Sequence, residues 1–316
     1  VIISTPNGMF NLFHRIYLQA ERKENTFVHV RSTWKDVPGR DKKWANDQKK
    51  NLGKQKFAQE YECEFLGSLS TVVDAECLDK LYMGCEEPIL EQMGGKFKIF
   101  EKPQPGQVYV MGVDSAKGTG ENASTIQVLK ITSVKPVKME QVAVFCDNYT
   151  DVYTFSEIVN RISIYYNTAF IMAENNAEGS TVVTRLWWEY ENPGLVNSGN
   201  KTKDLGIRAD RRSKPRAVLL MKKLLEDGDL KLRDMETVDQ LSTFIEKDGK
   251  FMGKETPDDL VTGLYWGTYF STTDIMEDSF EIKRPEIDDD IWGVLTDQVN
   301  PVEDWSWLTK TSDMKN

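Results

Sequence analysis

The stretch VYVMGVDSAKGTGENAS, residues 108–124, decides the fold and points to the chemistry. Its first half is a run of apolar and β-branched residues that predicts a buried β-strand. Asp114 comes at the end of that run, and the glycines after it allow the backbone to turn sharply beside a ligand. We therefore expect Asp114 to lie at the open edge of a sheet.

Two later stretches place acids in comparable positions. Glu174 follows the apolar run FIMA in FIMAENNAEGS, and Asp258 and Asp259 begin the helical pattern of TPDDLVTGLYWG, with Thr256 as the predicted helix N-cap. Carboxylates on apolar elements are costly to bury unpaired, and their oxygens are the ligands that Mg²⁺ and Mn²⁺ prefer. The set predicts a site for divalent cations, with two ions as the expected number.

Each acid also has a structural alternative. An Asp before glycines is usually a turn residue, and an Asp pair in a first helical turn usually caps the helix. Glu174 is harder to explain without an ion, because the run before it is apolar and two Asn follow it. The order of the three stretches along the chain favours one shared site.

The order of the predicted elements indicates an α/β fold. Three β-rich runs separated by turn signals, VYVMGVD, STIQVLKI and EQVAVFCDNY, predict an antiparallel meander. A helix follows, then a strand in AFIMAENN expected to lie parallel to the first, and then further helices, among them METVDQLSTFIEK at 235–247. This order predicts a mixed sheet flanked by helices over residues 107–272.

The residues outside that domain fall into three parts. Residues 1–70 contain two β-like runs, VIIST and FVHVRST, and helical patterns that include KKWANDQKKNLGKQKFAQEYECEF at 42–65. Residues 71–106 are interpreted as a linker because of their turn-forming Gly and Pro, and the polar, acidic residues 273–316 as a tail that is extended or ordered only by a partner. Because the chain opens inside an apolar run without Met, we expect a fragment of a larger protein.

The composition is that of a folded protein large enough for two domains, with 316 residues of which 40% are hydrophobic. No apolar run approaches the roughly 20 residues needed to span a bilayer, so we expect a cytosolic protein without a membrane partner. Cys63, Cys77, Cys85 and Cys146 form no CxxC pair, which argues against a structural zinc site and a disulfide framework.

The net charge of −10 is unevenly distributed. Between Lys201 and Lys223, nine Lys or Arg accompany two Asp, whereas residues 274–316 contain twelve Asp or Glu and four Lys or Arg. The first segment is suited to a polyanion, and the second would repel one.

Five short motifs occur in a fixed order: STPNG at 4–8, QEYECEFLGS, YVMGVDSAKGTGENAS, AENN and PDDLV. Together they resemble the large terminase subunit of tailed bacteriophages, and its T4-like members in particular, over nearly all of the chain up to about Phe270. The resemblance implies a packaging ATPase of the P-loop class followed by a nuclease of the ribonuclease H-like fold. No GxxxxGK[ST] occurs in the chain, so residues 1–70 are interpreted as the C-terminal remnant of the ATPase domain, and ATP binding is expected only in the full-length protein.

The resemblance also implies roles for individual residues. The catalytic, metal-binding acids of the family correspond to Asp114, Glu174, Asp258 and Asp259. The motif that couples ATP hydrolysis to movement corresponds to Ser4, Thr5, Pro6, Asn7 and Gly8. Many relatives carry Asp where Asn122 stands, so the neutral Asn122 is expected to support a second ion more weakly.

The basic segment acquires a role from the same resemblance. It precedes and begins a helix that should border the acids, so its side chains are candidates to hold the DNA backbone. These candidates are Arg208, Arg211, Arg212, Lys214 and Arg216. The structural alternative is a solvated helix start that binds nothing.

The leading hypothesis is a metal-dependent endonuclease that cuts concatemeric double-stranded DNA during phage genome packaging, in the host cytoplasm at the procapsid portal. The portal protein and the small terminase subunit are the implied protein partners. A junction resolvase or a transposase-like nuclease would use similar acids. A third hypothesis is a non-catalytic module that binds DNA or the portal.

Two groups of aromatic residues receive different interpretations. Those at helical spacing are predicted to be core rather than base-stacking surfaces, namely Trp187, Trp188, Tyr190, Trp266 and Tyr269. In the acidic tail, Trp305, Trp307 and Leu308 are flanked by acids and are interpreted as a peptide that docks on the portal.

Overall fold

The computed structural model describes residues 1–6, 12–64, 71–197, 205–254 and 256–281. The chain divides into two compact units, Val1–Thr71 and a second that begins at Val72. This division lies next to the domain boundary predicted at residue 70. None of the helices within the described ranges is both long and apolar enough to cross a membrane.

The first unit is helical in its described residues. Its elements are α1 (Leu12–Glu21), a short 3-10 helix (Trp34–Asp36), α2 (Lys42–Leu52) and α3 (Lys54–Tyr61). The helical pattern over 42–65 is interrupted between α2 and α3, because Gly53 adopts a φ of 80°, which an α-helix cannot contain. The rings of Trp34, Trp44 and Tyr61 pack around Phe57, which is fully buried.

The two β-like runs of this unit do not form strands. VIIST and FVHVRST have irregular backbones, and no strand occurs at residues 1–6 or 12–64. Val1, Ile3, Val28 and Val30 are exposed. The prediction of strands is wrong here because a β-branched run becomes a strand only where another strand supplies hydrogen-bond partners.

Among its described residues, the second unit is built on a seven-stranded mixed sheet. The strands are β1 (Leu90–Gln92), β2 (Phe97–Ile99), β3 (Tyr109–Asp114), β4 (Ser124–Val134), β5 (Val137–Asp147), β6 (Phe170–Ala173) and β7 (Leu230–Lys231). The order across the sheet is β1-β2-β5-β4-β3-β6, and β7 also pairs with β5. Strands β3, β4 and β5 form the predicted antiparallel meander, and β6 lies parallel to β3, as predicted.

Residues 71–106, predicted to be a linker, contribute to this sheet instead. They form α4 (Ala75–Met83), β1 and β2, and β2 pairs antiparallel with β5. Phe97 and Ile99 of β2 are fully buried. The linker prediction is wrong because β1 and β2 are only three residues long and stand between glycines and prolines, so their pattern is too short to recognise.

Helices cover both faces of the sheet. On one face, α5 (Val152–Tyr165) and α6 (Glu178–Trp188) pack against buried residues that include Met111 and Val113 of β3. On the other face, α9 (Asp259–Tyr269) lies against Gly112 of β3, and α7 (Ser213–Glu226) packs beside α9. Side chains alternate along a strand, so β3 presents a different set of residues to each helical layer.

The segment 235–247, predicted as one helix, changes type halfway. Helix α8 (Met235–Leu241) is followed by β8 (Phe244–Lys247), which pairs antiparallel with β9 (Lys250–Gly253). The turn between these strands consists of Asp248 and Gly249, both with positive φ. Asp-Gly is typical of a two-residue hairpin turn, and this signal outweighs the helical spacing of the residues before it.

The aromatic residues predicted to lie in the core differ in how far the structure buries them. Trp266 is fully buried, and Tyr190 and Tyr269 are half-buried. Trp187 and Trp188 on α6 are 40% and 62% exposed, so their assignment to the core is wrong. Both stand at the C-terminal end of α6, and a helix that packs on a sheet buries only one of its faces.

The predicted acidic tail begins with a helix, α10 (Asp274–Glu281). The rest of the tail, with the proposed docking residues Trp305, Trp307 and Leu308, lies outside the described residues. The expectation of an extended tail is therefore corrected at its start, because residues 274–281 are helical.

Three glycines allow α9 to lie directly on β3. A Cβ atom at Gly112 would stand 1.9 Å from the carbonyl oxygen of Gly263 and 2.4 Å from the backbone nitrogen of Gly267. Both neighbouring atoms belong to the backbone of α9, so neither can give way as a side chain would. The close contact fixes the position of the first turn of α9 relative to the end of β3.

We expect Gly112→Ala to lower the free energy of unfolding of the second unit by about 1–3 kcal/mol, because the added methyl group forces α9 away from β3. Gly84→Ala is the matched control, since Gly84 has a φ of −87° and an added Cβ would meet no atom closer than 3.4 Å. Urea denaturation followed by circular dichroism measures both. An unchanged midpoint for G112A would show that the helix does not rest on the strand at this position.

Candidate metal-binding site

Asp114 and Glu174 lie side by side at the same end of the sheet. Asp114 is the last residue of β3, and Glu174 follows the last residue of β6. The two strands are parallel with Val113 opposite Ala173, so the same register places Asp114 opposite Glu174. Neighbouring strands are about 4.8 Å apart, and residues opposite each other point to the same face. The structure thus brings the first two predicted ligands together.

That face is the one covered by α9. Because residues alternate along a strand, Asp114 points to the same side as Gly112, against which α9 packs. Trp266 in α9 confirms this, since its indole Nε1 donates a hydrogen bond of 3.1 Å to Glu174 Oε2. Both acids are half-buried.

Asp258 and Asp259 reach the same place because they begin α9. Asp259 Oδ2 accepts a hydrogen bond of 3.0 Å from the backbone N–H of Ala123, and Thr125 Oγ1 donates one of 2.8 Å to the Asp259 carbonyl. Asp258 occupies the N-cap position, but its side chain makes no capping hydrogen bond. The first turn of α9 is therefore attached to the β4 side of the site, and the Asp258 carboxylate is not used for capping.

The predicted N-cap, Thr256, does not cap α9. Its hydroxyl lies 2.6 Å from the hydroxyl of Thr243, and the helix begins three residues later, at Asp259. Gly253 gives the physical reason, because a Cβ there would stand 2.2 Å from the Thr256 carbonyl oxygen. The chain folds back tightly after β9, and only then does the helix start.

The charges of the four acids act on one another. Burial raises the pKa of Asp114 well above its ordinary value, and the negative charges of Glu174, Asp259 and Asp258 raise it further. Burial also raises the pKa of Asp259, with a further contribution from Asp258 and an opposing one from the Ala123 hydrogen bond. Carboxylates held close together away from water repel one another, and a bound cation would relieve that repulsion.

The donor set fits a hard divalent cation, because it consists of carboxylate oxygens. In the part of the chain that the structure describes, no group of three or more His, Cys, Asp or Glu side chains is arranged so that it could hold a metal ion as it stands. The acids are therefore gathered at one edge of the sheet without being locked around one point, and an ion would have to complete the arrangement.

Asn122, the possible supporting ligand, lies in the loop between β3 and β4, directly before Ala123, and its side chain is exposed. The loop is attached to the chain after β5, since Gly120 N–H donates to the Asn148 carbonyl at 2.8 Å. A Cβ at Gly118, which has a φ of 73°, would stand 2.6 Å from the Thr150 carbonyl oxygen. The glycines after Asp114 thus serve close packing of this loop as well as its turn.

The basic segment begins next to Glu174. Ile207 forms a parallel bridge with Glu174, and Asn176 Nδ2 donates a hydrogen bond of 3.2 Å to the Ala209 carbonyl. Arg208 stands between these two attachment points and is exposed. The segment therefore leaves the sheet at the acids, which is where the sequence predicts it to be.

Lys214 differs from the other basic candidates. The exposed ones are Arg208, Arg211, Arg212 and Arg216. Lys214 is half-buried in the first turn of α7, and its Nζ lies 5.7 Å from the centre of the Tyr265 ring on α9. Burial raises the pKa of Tyr265, and the charges of Asp114 and Glu174 add to the effect. Lys214 thus approaches the acids from the side of α9.

The predicted ATPase coupling motif belongs to the first unit. Its residues Ser4, Thr5 and Pro6 line a cavity of about 280 Å³ whose wall includes Tyr17 and Arg31. The other two residues of the motif, Asn7 and Gly8, lie outside the described residues. Their assigned role stays a prediction.

Sequence reasoning missed two features of the site. The helical spacing of Trp266 predicts a core residue and nothing more. A signal for its contact with an acid is available, because a buried indole N–H must find a hydrogen-bond acceptor. The contact of α9 with β3 was missed as well. Its signal was the pair of glycines four residues apart in GLYWG, together with a glycine in the middle of an apolar strand.

No family model matches the sequence. The fold is similar to that of the large terminase nuclease from thermophilic phage G20c with bound magnesium, with a TM-score of 0.50 and 17% identity over 64% of this chain and 97% of that one. The cobalt-bound structure of the same nuclease gives the same values. The large terminase from a second thermophilic bacteriophage aligns with 86% of this chain and 62% of its own at 13% identity, with a TM-score of 0.43. The predicted fold class, and the resemblance to phage large terminases at the level of fold, are confirmed.

We expect Asp114→Asn to stabilise the metal-free protein, and to do so more at pH 7 than at pH 4.5. The folded-state pKa of Asp114 is raised above the ordinary value of 3.8. Its contribution to stability is therefore fully present below about pH 3.8 and is lost as the pH rises towards the folded-state pKa. Thermal unfolding in EDTA across this pH range measures the difference between D114N and the parent protein. Glu121→Gln, which changes an exposed acid of the same loop, is the control. A lower midpoint for D114N at pH 7 would contradict the repulsion.

Proposed function

We propose that this protein is a divalent-metal-dependent endodeoxyribonuclease that cuts concatemeric double-stranded DNA during packaging of a phage genome. The observation that carries the proposal is the placement of Asp114 and Glu174 in register on adjacent parallel strands, to which α9 brings Asp258 and Asp259. The likeness in fold to the G20c large terminase nuclease, with its magnesium-bound and cobalt-bound structures, supports it.

In this proposal Asp114, Glu174 and Asp259 would hold the cations, and Asp258 and the exposed Asn122 would complete the set. Two divalent ions held by these residues would supply a site that activates a water molecule and that stabilises the 3′ oxygen leaving the cleaved strand. The protein itself supplies ligands that the sheet register and the first turn of α9 keep in place. Carboxylates suffice for this chemistry, so no histidine or serine nucleophile is required.

The basic segment would hold the DNA at the acids. Carboxylates repel phosphates, and arginines that leave the sheet beside Glu174 offset that repulsion where the scissile phosphate must lie. Backbone contacts carry little sequence information, which suits a nuclease that cuts a concatemer when a capsid is full. Lys214, which reaches towards α9, is the basic residue that we assign to the phosphate closest to the acids.

We further propose that the nuclease works within a larger packaging motor. Residues 1–70 would be the C-terminal end of the packaging ATPase, and only the complete protein would bind ATP. The proposed partners are the portal protein and the small terminase subunit, and the proposed place of action is the host cytoplasm at the procapsid portal. The order of the motifs from STPNG to PDDLV supports this context.

We expect the protein to nick and linearise supercoiled plasmid in Mg²⁺ or Mn²⁺, and Asp114→Ala to abolish cleavage without weakening DNA binding. The substitution removes a metal ligand and also a negative charge that repels the phosphates. Gel analysis of plasmid cleavage and fluorescence anisotropy with a short duplex measure the two properties. Glu121→Gln again serves as the control, because it lies in the same loop and is exposed.

Each alternative outcome has a definite meaning. Cleavage by D114A at the rate of the parent would show that Asp114 is not needed for catalysis and that the assignment of the active site is wrong. A folded parent protein that binds DNA but never cuts it would be a non-catalytic module. Preference for a four-way junction over plain duplex would favour a junction resolvase, and strand joining would favour a transposase-like enzyme.

We expect replacement of Arg208, Arg211 and Arg212 by Gln to weaken duplex binding and to lower the slope of log affinity against log salt by about 2–3, because each lost phosphate contact removes about 0.9. Anisotropy titrations in EDTA at several salt concentrations measure the slope without cleavage.

The matched control replaces Lys135 and Lys138 by Gln. These residues flank the β4–β5 turn, where Val134 pairs with Val137, at the end of the strands remote from Asp114. We expect the control to keep the parental slope. A loss of slope in the control that is about two-thirds of the loss in the triple variant would match the ratio of two to three removed charges, and would mean that binding depends only on total charge and not on the basic segment.

A further inference from the structure

Three carboxylates of the proposed site are each oriented by hydrogen bonds, and two of them use the backbone. Ser115 N–H donates to Asp114 Oδ1 at 3.0 Å, and Ala123 N–H donates to Asp259 Oδ2 at 3.0 Å. These donors are part of the strand end and the loop that follows it. Backbone N–H groups are present whichever side chains occupy positions 115 and 123, so the orientation of Asp114 and Asp259 does not depend on a particular residue type at either position.

Glu174 is oriented by side chains instead. Trp266 Nε1 donates to Glu174 Oε2 at 3.1 Å, and Asn176 Nδ2 donates to Glu174 Oε1 at 2.8 Å. Both oxygens of one carboxylate are therefore engaged, each by a different residue. A Glu side chain has one more rotatable bond than Asp, so it loses more freedom when it is held in one direction.

The environment of Trp266 fixes the direction of its N–H group. The ring is fully buried and makes edge-on contacts with Tyr265 and Tyr269, with ring centres 5.0 Å and 5.9 Å away. An indole N–H can only donate, and a buried donor without an acceptor is unfavourable. The indole therefore holds Glu174 Oε2 from inside the protein, while the exposed Asn176 holds Oε1 from outside.

We propose that Trp266 and Asn176 are positioning residues that keep the Glu174 carboxylate ready to bind a divalent cation. This inference rests on the proposed function, because it requires Glu174 to be a metal ligand. Each carboxylate oxygen has a second lone pair, so it accepts the hydrogen bond and still has capacity for a metal. Residues that orient ligands in this way raise metal affinity without touching the ion or the substrate.

The test is Trp266→Phe, which keeps an aromatic ring at this position and removes the N–H group. We expect the Kd for Mn²⁺, measured by electron paramagnetic resonance without DNA, to rise roughly 10-fold. The Mg²⁺ concentration for half-maximal plasmid cleavage should rise by a similar factor, while the rate at saturating Mg²⁺ stays near that of the parent. A purely structural role would instead lower the thermal midpoint in EDTA and the maximal rate.

Asn176→Ala provides a second route that does not disturb the core, because Asn176 is exposed. We expect it to weaken Mn²⁺ binding in the same direction, and the double variant to weaken it further. Trp187→Phe is the matched control, since this exposed indole lies on α6, and it should leave the Mn²⁺ Kd unchanged.

The outcomes separate the inference from the proposed function. Parental Mn²⁺ affinity in both W266F and N176A would overturn the inference while leaving the nuclease proposal intact. A parent protein that binds Mn²⁺ but does not cut DNA would overturn the nuclease proposal, and weaker Mn²⁺ binding by the variants would still support the role of Trp266. A parent protein that binds no Mn²⁺ would overturn both.

Discussion

Helix α9 and strand β3 meet backbone to backbone, because Gly112, Gly263 and Gly267 place no side chain between them. A helix in such close contact cannot slide or tilt without a collision, so its first turn has one position relative to the end of β3. Hydrogen bonds from Ala123 and Thr125 to Asp259 add to this placement. The acids at the start of α9 thus meet the strand-end acids through packing and hydrogen bonds, before any ion contributes.

The gathered acids are unfavourable for folding when no cation is bound. Burial and mutual repulsion both oppose the charge on Asp114, and the buried side chains of the two helical layers must offset that cost. Functional sites commonly carry such a conflict between local stability and activity. A group of like charges at this end of the sheet gives no structural benefit. The concentration of acids there is therefore the strongest physical indication that these residues bind a ligand.

Long patterns allowed correct predictions, and short or tertiary features did not. The meander was predictable because β3, β4 and β5 are long runs with turn signals between them. The placement of the acids at the ends of elements was predictable because each follows or begins an apolar run, whereas their role as metal ligands stays a prediction. β1 and β2 have three residues each, and the strand β8 was hidden by a helical spacing that continues from α8. The bond between Trp266 and Glu174 joins residues 92 positions apart, so no local pattern contains it. The exposure of Trp187 and Trp188 likewise depends on which face of α6 meets the sheet.

The position of α9 at the end of the domain has a consequence for synthesis on the ribosome. The strands β3 and β6 are synthesised before α9, which is among the last of the described elements along the chain. A nascent chain therefore carries Asp114 and Glu174 without Asp258 and Asp259 until α9 has been synthesised. Among the described elements, α9 must therefore dock on the sheet before all four acids lie at one edge, so the assembly of the proposed site is tied to completion of the fold of this domain.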